Sequence, residues 1–336
     1  MNERRNRILI RAVILLISCI AVFAAALHFS DQFFSSRYHE ERESGTQAFM
    51  DEGILEWKGE RYRKKAAVTT ILLAGIDQEE TVSPLSASRY RSGGQADFLL
   101  LLVIDHAEKK IHKLQIDRDT ITEITVLGVY GNETGTRPLQ ICLAHSFGAF
   151  PEDHAKYTVR AVEGLLGGQL EMNGYYMVNY SAVPILNDTL GGVPVTVPED
   201  MTSVNPEWFS GHVITLHGTE AETFIRTRKT IGSGTNAERM NRQSVYIDSA
   251  VSRMRQRLSE NVEFGTELLS AMKKTANTNL SDQMLLEEIN ESRSYEIQPT
   301  DYLPGEYRTD ENGFAEFYPE ENAATEWVMD HLYTLR

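Results

Sequence analysis

The stretch ADFLLLLVIDHAEKKIHKLQIDRD, residues 96–119, contains two apolar runs on either side of the polar segment HAEKK. Apolar runs of this length around a short polar segment are typical of two strands joined by a turn. The second run ends in Asp117, Arg118 and Asp119, two carboxylates that flank a guanidinium. At a partly buried strand end, these charges need a cation, an anion or each other as partners.

Strand-like and helical patterns alternate on both sides of this pair. The run AVTTILLAGID precedes it and ends in Asp77, and helical patterns follow at residues 151–168, 218–228 and 237–258. Such interleaving predicts an α/β domain. The segment GSGTNAER lacks the P-loop lysine, and the chain has neither zinc-type His/Cys spacing nor a G-x-S-x-G elbow. The sequence therefore carries none of these nucleotide, zinc or hydrolase motifs.

The composition is that of a folded globular protein, with 41% hydrophobic and 24% charged residues in a chain of 336. The formal net charge of −15 argues against a nucleic-acid-binding protein, which needs a basic face. Cys142 has no second cysteine beyond the N-terminal segment to pair with. We expect it to be a small buried thiol.

The N-terminus has the pattern of a membrane anchor. Residues 12–29, AVILLISCIAVFAAALHF, carry no charge at neutral pH and would form a helix of roughly 27 Å, close to the hydrocarbon thickness of a bilayer. Arginines in residues 1–11 predict a cytoplasmic N-terminus and an extracytoplasmic remainder in a single-pass membrane protein. Two other fates fit the pattern, lipidation at Cys19 and cleavage as an ordinary signal peptide. The apolar run continues to Leu27, which favours the uncleaved anchor.

Charged residues at the predicted element ends indicate a binding site. Asp77 and Asp97 each lie at a strand boundary, and two carboxylates without a basic neighbour suit Mg²⁺. Arginines follow later in the chain, and planar guanidiniums suit phosphate oxygens. The later cluster consists of Arg226, Arg228, Arg239, Arg242 and Gln243. Together these residues are typical of a metal-assisted site for a pyrophosphate.

Each of these residues also has a purely structural interpretation. Asp77 could cap the turn that follows it, and Asp119 could pair with Arg118 or cap a turn. Arg226 and Arg228 are two positions apart, so on a helix they would point in different directions. One of them would then be a solvated surface charge. Spacing alone leaves these alternatives open.

Seven segments, in this order, resemble the LytR-CpsA-Psr family of membrane-anchored cell-wall enzymes. They are ILLAGID, ADFLLLLVID, IDRDT, NDTLGGVPVTVPEDM, GTEAETFIRTR, ERMNRQ and TNLSDQMLLEEI. The resemblance implies a catalytic domain over residues 67–305, followed by a C-terminal tail at 306–336. Residues 30–66, which are highly charged with scattered aromatics, indicate an extracytoplasmic stalk or loose helix before it. It also implies a mixed central sheet flanked by helices on both faces, with a groove for a polyprenyl chain.

The resemblance further implies an activity and its site. Family members are understood to move a glycopolymer from polyprenyl pyrophosphate to peptidoglycan with Mg²⁺. Asp77 and Asp97 match the acids associated with the metal, and Arg118 and Asp119 match the pair that closes the pyrophosphate site. The matches to the phosphate-facing cluster are Arg226, Arg228, Arg239 and Gln243. We expect Arg118 and the other arginines to stabilise developing charge, and Asp97 or Asp119 to act as the base.

The chain departs from the family's pattern around this site. The differing residues are Glu79, Gln95, Ala96, Asp117 and Asn236. The family often has arginine where Glu79 stands and Arg-Ser where Gln95 and Ala96 stand. It often has proline in place of Asp117 and aspartate in place of Asn236. The entrance of the expected pyrophosphate site therefore loses positive charge, which Arg89 or Arg91 would partly replace.

The sequence accordingly predicts a Mg-dependent phosphotransferase that ligates a glycopolymer to peptidoglycan. Two alternatives use the same residues. One is a hydrolase that gives the pyrophosphate to water. The other is a degenerate, non-catalytic member that binds a lipid carrier or acts as a scaffold. The departures make this alternative stronger here than it would be for a standard member of the family.

Overall fold

The computed structural model describes residues 54–78, 93–148, 150–228, 230–232 and 234–336. Contacts divide the chain into two units. The described part of the smaller unit is an antiparallel hairpin of β1 (Ile54–Trp57) and β2 (Glu60–Lys64), together with the last two residues. The larger unit, Lys65–Thr334, contains all the predicted site residues.

A six-stranded mixed sheet forms the centre of the larger unit. In spatial order its strands are β11 (Ala276–Thr278), β8 (Gly174–Asn179), β3 (Val68–Ile76), β4 (Ala96–Asp105), β5 (Lys110–Ile116) and β12 (Glu296–Tyr302). Strands β3, β4 and β5 are antiparallel, whereas β8 runs parallel to β3 and β12 parallel to β5. The segment HAEKK forms the turn between β4 and β5, as predicted, with Lys109 at a φ of 55°.

Helices cover both faces of this sheet. They are α1 (Pro151–Leu165), α2 (Ala182–Thr189), α3 (Thr219–Arg226), α4 (Asn236–Glu260), α5 (Phe264–Met272), α6 (Asp282–Ser292) and α7 (Ala323–Leu332). Successive residues of a strand point to opposite faces. Lys113 of β5 forms an ion pair with Asp248 of α4, whereas its neighbour His112 contacts His331 of α7. The predicted mixed α/β fold is therefore confirmed.

The remaining strands form short ribbons around the sheet. They are β6 (Ile121–Leu127) with β7 (Glu133–Gln140), β9 (Val193–Thr196) with β10 (Val213–Leu216), β13 (Gly305–Thr309) with β14 (Ala315–Pro319), and a final strand β15 (Tyr333–Leu335). A short 3₁₀ helix, Ile141–Ser146, precedes α1. Proline at the first position of α1 leaves no helical hydrogen bond unmade, since that amide has no acceptor in any helix.

Several predicted segments take a definite form in the structure. The described end of the predicted stalk is the β1–β2 hairpin, not a loose helix. Residues 306–332, which the sequence assigned to a tail, contain most of β13, β14 and α7 within the larger unit. The predicted anchor at 12–29 and the loop residues Glu79, Arg89 and Arg91 lie outside the described residues. Within the described ranges, no helix combines the length and apolar character needed to cross a membrane.

Candidate functional site

The site lies where three strands of the central sheet meet at one edge. Antiparallel pairing places the C-terminal ends of β3 and β5 beside the N-terminal end of β4. Asp77 directly follows β3, Asp97 is the second residue of β4, and Arg118 lies two residues beyond β5. These predicted site residues therefore start from the same edge of the sheet. The residues after α3 and the first turn of α4 supply further arginines.

The guanidinium of Arg118 lies at the centre of the site, with 16% of its side chain exposed. It forms an ion pair with Asp97 through Nη1, and its Nε lies 3.3 Å from Asp119 Oδ1. Its Nη2 also donates to Cys142 Sγ at 3.2 Å and to Gln95 Oε1. Burial disfavours the charged form, but the Cys142 sulfur and the two carboxylates outweigh burial and raise the pKa of Arg118. Arg118 therefore remains a cation held by several partners.

Asp119 is almost fully buried beside this guanidinium. Its Oδ1 accepts a hydrogen bond from Gln140 Nε2 at 3.2 Å, and its Oδ2 has no hydrogen-bond partner among the described residues. Burial raises the pKa of Asp119, and the charge of Asp117 raises it further. Nearby arginines oppose both effects without cancelling them: Arg118, Arg228 and Arg239. Asp119 therefore holds a proton more readily than an ordinary aspartate.

Asp117 does not pair with Arg118, although the two are adjacent. Its Oδ1 accepts hydrogen bonds from the Asp119 amide at 2.8 Å and from Asn236 Nδ2 at 2.7 Å. Its Oδ2 accepts a hydrogen bond from the hydroxyl of Tyr307 on β13. Asp117 therefore faces α4 and β13, whereas Arg118 contacts Cys142 of the 3₁₀ helix. Three donors from different parts of the chain therefore satisfy Asp117.

Arg239 connects the first turn of α4 to the strand ends. Its Nη1 lies 3.5 Å from Asp97 Oδ2, and its Nη2 donates to Asn236 Oδ1 at 2.5 Å. Its Nε is buried and has no hydrogen-bond partner among the described residues. Burial lowers the pKa of Arg239, and although Asp97 opposes this, the charges of Arg118 and Arg228 add to it. A buried guanidinium that lies close to other guanidiniums suits an anionic ligand.

Arg226 and Asp77 form a separate, more exposed pair. Arg226 Nη2 lies 3.2 Å from Asp77 Oδ1, and its Nη1 lies 2.6 Å from Glu222 Oε1. The guanidinium carbon also lies 4.2 Å from the ring centroid of Tyr180, a cation–π contact. Almost half of each side chain of the Arg226–Asp77 pair is exposed to solvent. This pair is therefore accessible to a ligand from solution.

Arg228 and Gln243 occupy different surroundings. Helix α3 ends at Arg226, so the prediction of a helix that carries both arginines is wrong. Arg228 Nε donates to Gly234 O at 2.9 Å, and its charge acts on Asp119 and Arg239. Gln243 is buried one turn beyond Arg239, and its Oε1 accepts a hydrogen bond from Gln115 Nε2 at 3.0 Å. Gln243 thus joins α4 to β5 behind the arginines.

Each acid predicted to bind the metal is paired with arginine. Asp97 contacts Arg118 and Arg239, whereas Asp77 contacts Arg226. The Asp77 amide donates to Gln95 O at 2.8 Å, and the Gln95 side chain accepts from Arg118, so one residue links the two groups. In the described part of the chain, no three His, Cys, Asp or Glu side chains form a metal-binding group.

Sequence reasoning missed several residues that shape the site. Gln140 and Tyr307 were not singled out, and Cys142 was expected only as a buried thiol. Cys142 is buried, but it also contacts Arg118, and burial raises its pKa to about 11. No local signal connects Tyr307 to Asp117, since 190 residues separate them.

Comparison with known proteins decides the family. The model of the LytR_cpsA_psr family matches residues 29–327, most of the chain. The chain belongs to the LytR-CpsA-Psr family. Asp117 and Asn236, two of the positions at which the resemblance implies a departure, are hydrogen-bonded to each other.

Similar curated proteins are named as transferases of teichoic acid. A protein of Bacillus cereus, named polyisoprenyl-teichoic acid–peptidoglycan teichoic acid transferase TagU, is 26% identical over 260 residues, which cover 77% of this chain and 76% of that protein. A TagU of Halalkalibacterium halodurans is 28% identical over 187 residues, 56% of this chain. This match spans about half of that relative, 53% of its length.

Solved structures of this family share the fold. B. subtilis TagV is 22% identical with a TM-score of 0.59, and the match covers 80% of this chain and 98% of TagV. The structure described as TagT bound to LI-WTA is 20% identical with a TM-score of 0.60, covering 80% of this chain and 91% of TagT. At this level of identity the likeness establishes the architecture.

Proposed function

We propose that this LytR-CpsA-Psr protein is a phosphotransferase that moves a glycan from a polyprenyl pyrophosphate carrier to peptidoglycan. The observation that supports it most is that Arg118 and Arg239 meet at Asp97, with Arg118 also in contact with the buried carboxylate of Asp119. Arg239 keeps a buried Nε–H without a hydrogen-bond partner among the described residues, and a phosphate oxygen would satisfy it. Membership of the family and the names of the relatives support the same reaction class.

The charges of the site support a requirement for a cation. Four arginines are matched by four aspartates, and Glu222 lies beside Arg226 as a further acid, so the protein's own groups leave no surplus positive charge. The four arginines are Arg118, Arg226, Arg228 and Arg239, and the four aspartates are Asp77, Asp97, Asp117 and Asp119. A pyrophosphate adds negative charge that these residues do not offset. Mg²⁺ binds through one or two carboxylates together with substrate phosphates, so the absence of a three-acid group among the described residues is compatible with it.

Asp77 and Asp97 are the residues that would hold this ion. Both are carboxylates with exposed surface, 48% and 28% of their side chains, so their chemistry fits a hard cation. The ion would neutralise charge on the pyrophosphate oxygens. Arg118, Arg226 and Arg239, which contact these acids, would then be available to the phosphate, where planar guanidiniums bind two oxygens at once.

Asp119 is the better candidate for the base. A base must take the proton of the acceptor sugar hydroxyl, and its efficiency rises as its pKa approaches the working pH. Burial and Asp117 raise the pKa of Asp119, and its Oδ2 has no hydrogen-bond partner among the described residues. Asp97, by contrast, contacts two guanidiniums and is suited to orienting them. Arg118 and Arg239 would stabilise the charge on the leaving polyprenyl phosphate.

The proposed substrates place the protein at a membrane. A polyprenyl carrier stays in the bilayer, and the segment 12–29 would tether the chain beside it as a single-pass anchor. The arginines before this segment support a cytoplasmic N-terminus and an extracytoplasmic catalytic domain. The partners are then a lipid-linked glycan and peptidoglycan, both outside the cytoplasm.

The decisive experiment incubates the full-length chain in detergent with a lipid-linked glycan and peptidoglycan fragments, with Mg²⁺ and with EDTA. We expect glycan on peptidoglycan only with Mg²⁺, and a loss of at least about tenfold in Arg239→Lys, which keeps the charge but not the planar fork. Arg257→Lys on the same helix is the control, since Arg257 pairs with Glu260 outside the site. Release of free glycan phosphate without transfer would instead identify a hydrolase. Binding without either product would identify a non-catalytic member.

A further inference from the structure

The C-terminal hairpin β13–β14 packs against the loop that carries Arg118 and Asp119. The amide of Phe317 on β14 donates to Asp119 O at 2.8 Å, and Thr120 forms an isolated bridge with Phe317. Gln140 Nε2 donates both to Ala315 O at 2.6 Å and to Asp119 Oδ1 at 3.2 Å. The hairpin therefore contacts the backbone of the loop as well as the side chain that orients Asp119.

Tyr307 makes the contact on the other side of this loop. Its hydroxyl donates to Asp117 Oδ2, while its ring lies 5.0 Å from that of Phe317 across the hairpin. Burial raises the pKa of Tyr307, and the hydrogen bond and charge of Asp117 raise it further, so the phenol stays a donor. Asp117 in turn accepts the amide of Asp119 and the side-chain amide of Asn236. One carboxylate thus joins the hairpin, the site loop and the first turn of α4.

We propose that Tyr307 is a positioning residue for the site: through Asp117 it fixes the Arg118–Asp119 loop against the N-terminal turn of α4. The consequence for chemistry rests on the proposed function. Asn236, held by Asp117, accepts a hydrogen bond from Arg239, so the same chain of contacts reaches the second guanidinium on Asp97. Tyr307 lies beside a cavity of about 270 Å³, lined also by Asp117, Met240 and Leu303, and its hydroxyl is bonded to Asp117.

This role follows from the sensitivity of general base and electrostatic catalysis to position. A displacement of about 1 Å in a reacting group costs roughly a hundredfold in rate. The Arg118–Asp119 loop follows the end of β5 and lies against the 3₁₀ helix. The carboxylate of Asp117, at the start of this loop, depends on three donors. Removing one donor frees Asp117 to rotate, and Asp119 and Asn236 lose a fixed partner.

The test compares Tyr307→Phe with Tyr318→Phe in the full-length chain. Both substitutions remove one hydroxyl from the same hairpin and keep the ring, but Tyr318 donates to Glu316, away from the loop. In Tyr307→Phe we expect hydrogen exchange of residues 117–120 to rise about tenfold or more, the loss of one hydrogen bond to a charged group. We expect kcat for glycan transfer to fall about tenfold with KM unchanged within about twofold, since the Tyr307 hydroxyl is bonded to Asp117 and acts on the site through it. The melting temperature should stay within about 2 °C of that of Tyr318→Phe.

The outcomes separate this proposal from the proposed function. Equal exchange in the two Phe variants, or raised exchange with unchanged kcat, overturns the positioning role of Tyr307. A rise in KM alone also overturns it, since that would indicate a contact with substrate. If the wild-type chain transfers no glycan, the proposed function fails, whereas the exchange measurement still decides whether Tyr307 holds the loop.

Discussion

Replacing Asn236 by aspartate tests the contact between Asn236 and Asp117. Asn236 Nδ2 donates to Asp117 Oδ1 at 2.7 Å, so Asn236→Asp replaces a donor by a second carboxylate. A hydrogen bond to a charged group contributes about 1.5–3 kcal/mol. Two charges about 4 Å apart at an effective dielectric of 20 repel by about 4 kcal/mol. Protonating one of the two acids at pH 7.5 would remove this repulsion but costs about 5 kcal/mol, so it does not lower the free energy of the folded variant.

One contact offsets part of this loss. Asn236 Oδ1 already accepts a hydrogen bond from Arg239 at 2.5 Å, and a carboxylate would keep and strengthen it. We therefore expect Asn236→Asp to lower the free energy of unfolding by about 2–4 kcal/mol at pH 7.5, measured by urea denaturation of the full-length chain. The deficit should shrink below about pH 5, because the pair takes up a proton more readily in the folded state than either acid does when unfolded.

The double variant Asp117→Asn/Asn236→Asp completes the test. It restores one donor and one acceptor in reversed order, so we expect it to recover at least half of the lost stability. The coupling energy of the double-mutant cycle should then be about 2 kcal/mol. An Asn236→Asp variant within about 0.5 kcal/mol of wild type at pH 7.5, with no coupling to Asp117, would falsify the contact on which this reasoning depends.

Three further predictions concern single residues. Arg118→Lys keeps the charge but offers a single nitrogen in place of those that reach Asp97, Asp119, Gln95 and Cys142. Turnover should therefore fall by one to three orders of magnitude, about 1.4–4 kcal/mol of transition-state stabilisation. Wild-type turnover would make Arg118 a structural residue. Asp119→Asn should abolish most transfer yet raise the melting temperature at pH 7.5. Because the folded pKa of Asp119 is raised, the stability contributed by the acid is present below its unfolded pKa of 3.8 and is lost as the pH rises, so the gain in melting temperature should vanish near pH 4. A lowered melting temperature at pH 7.5 contradicts this. Burial, and then His154, lower the pKa of His145 to about 3, so its stabilising contribution is present above its unfolded pKa of 6.5 and is lost as the pH falls. His145→Gln should therefore flatten the decline in the free energy of unfolding, about 1.4 kcal/mol per pH unit, below pH 6.5. An unchanged slope would assign the decline to other groups.

The parts of the fold that the sequence predicted are those set by local patterns. The two strands of residues 96–119 follow from apolar runs around a polar turn, and α1 from a helical stripe bounded by proline and glycines. The convergence of Asp77, Asp97 and Arg118 at one edge of the sheet also followed, because polar residues at strand ends meet there. The partners of each charge did not follow. They depend on side chains that are distant in the sequence, such as Tyr307, and on where α3 ends, which determines the surroundings of Arg228.

The pairing of every site carboxylate with its own donors bears on how the site would bind an anion. Asp97 holds Arg118 and Arg239, and Asp77 holds Arg226, so each of these guanidiniums is preorganised at the strand ends before a phosphate arrives. Binding would exchange carboxylate oxygens for phosphate oxygens around the same nitrogens, which requires the acids to find another cation. Asp117 takes no part in that exchange, because its three donors are neutral. Its charge is therefore the fixed negative charge of the site, and it acts on Asp119 whether or not the arginines change partners.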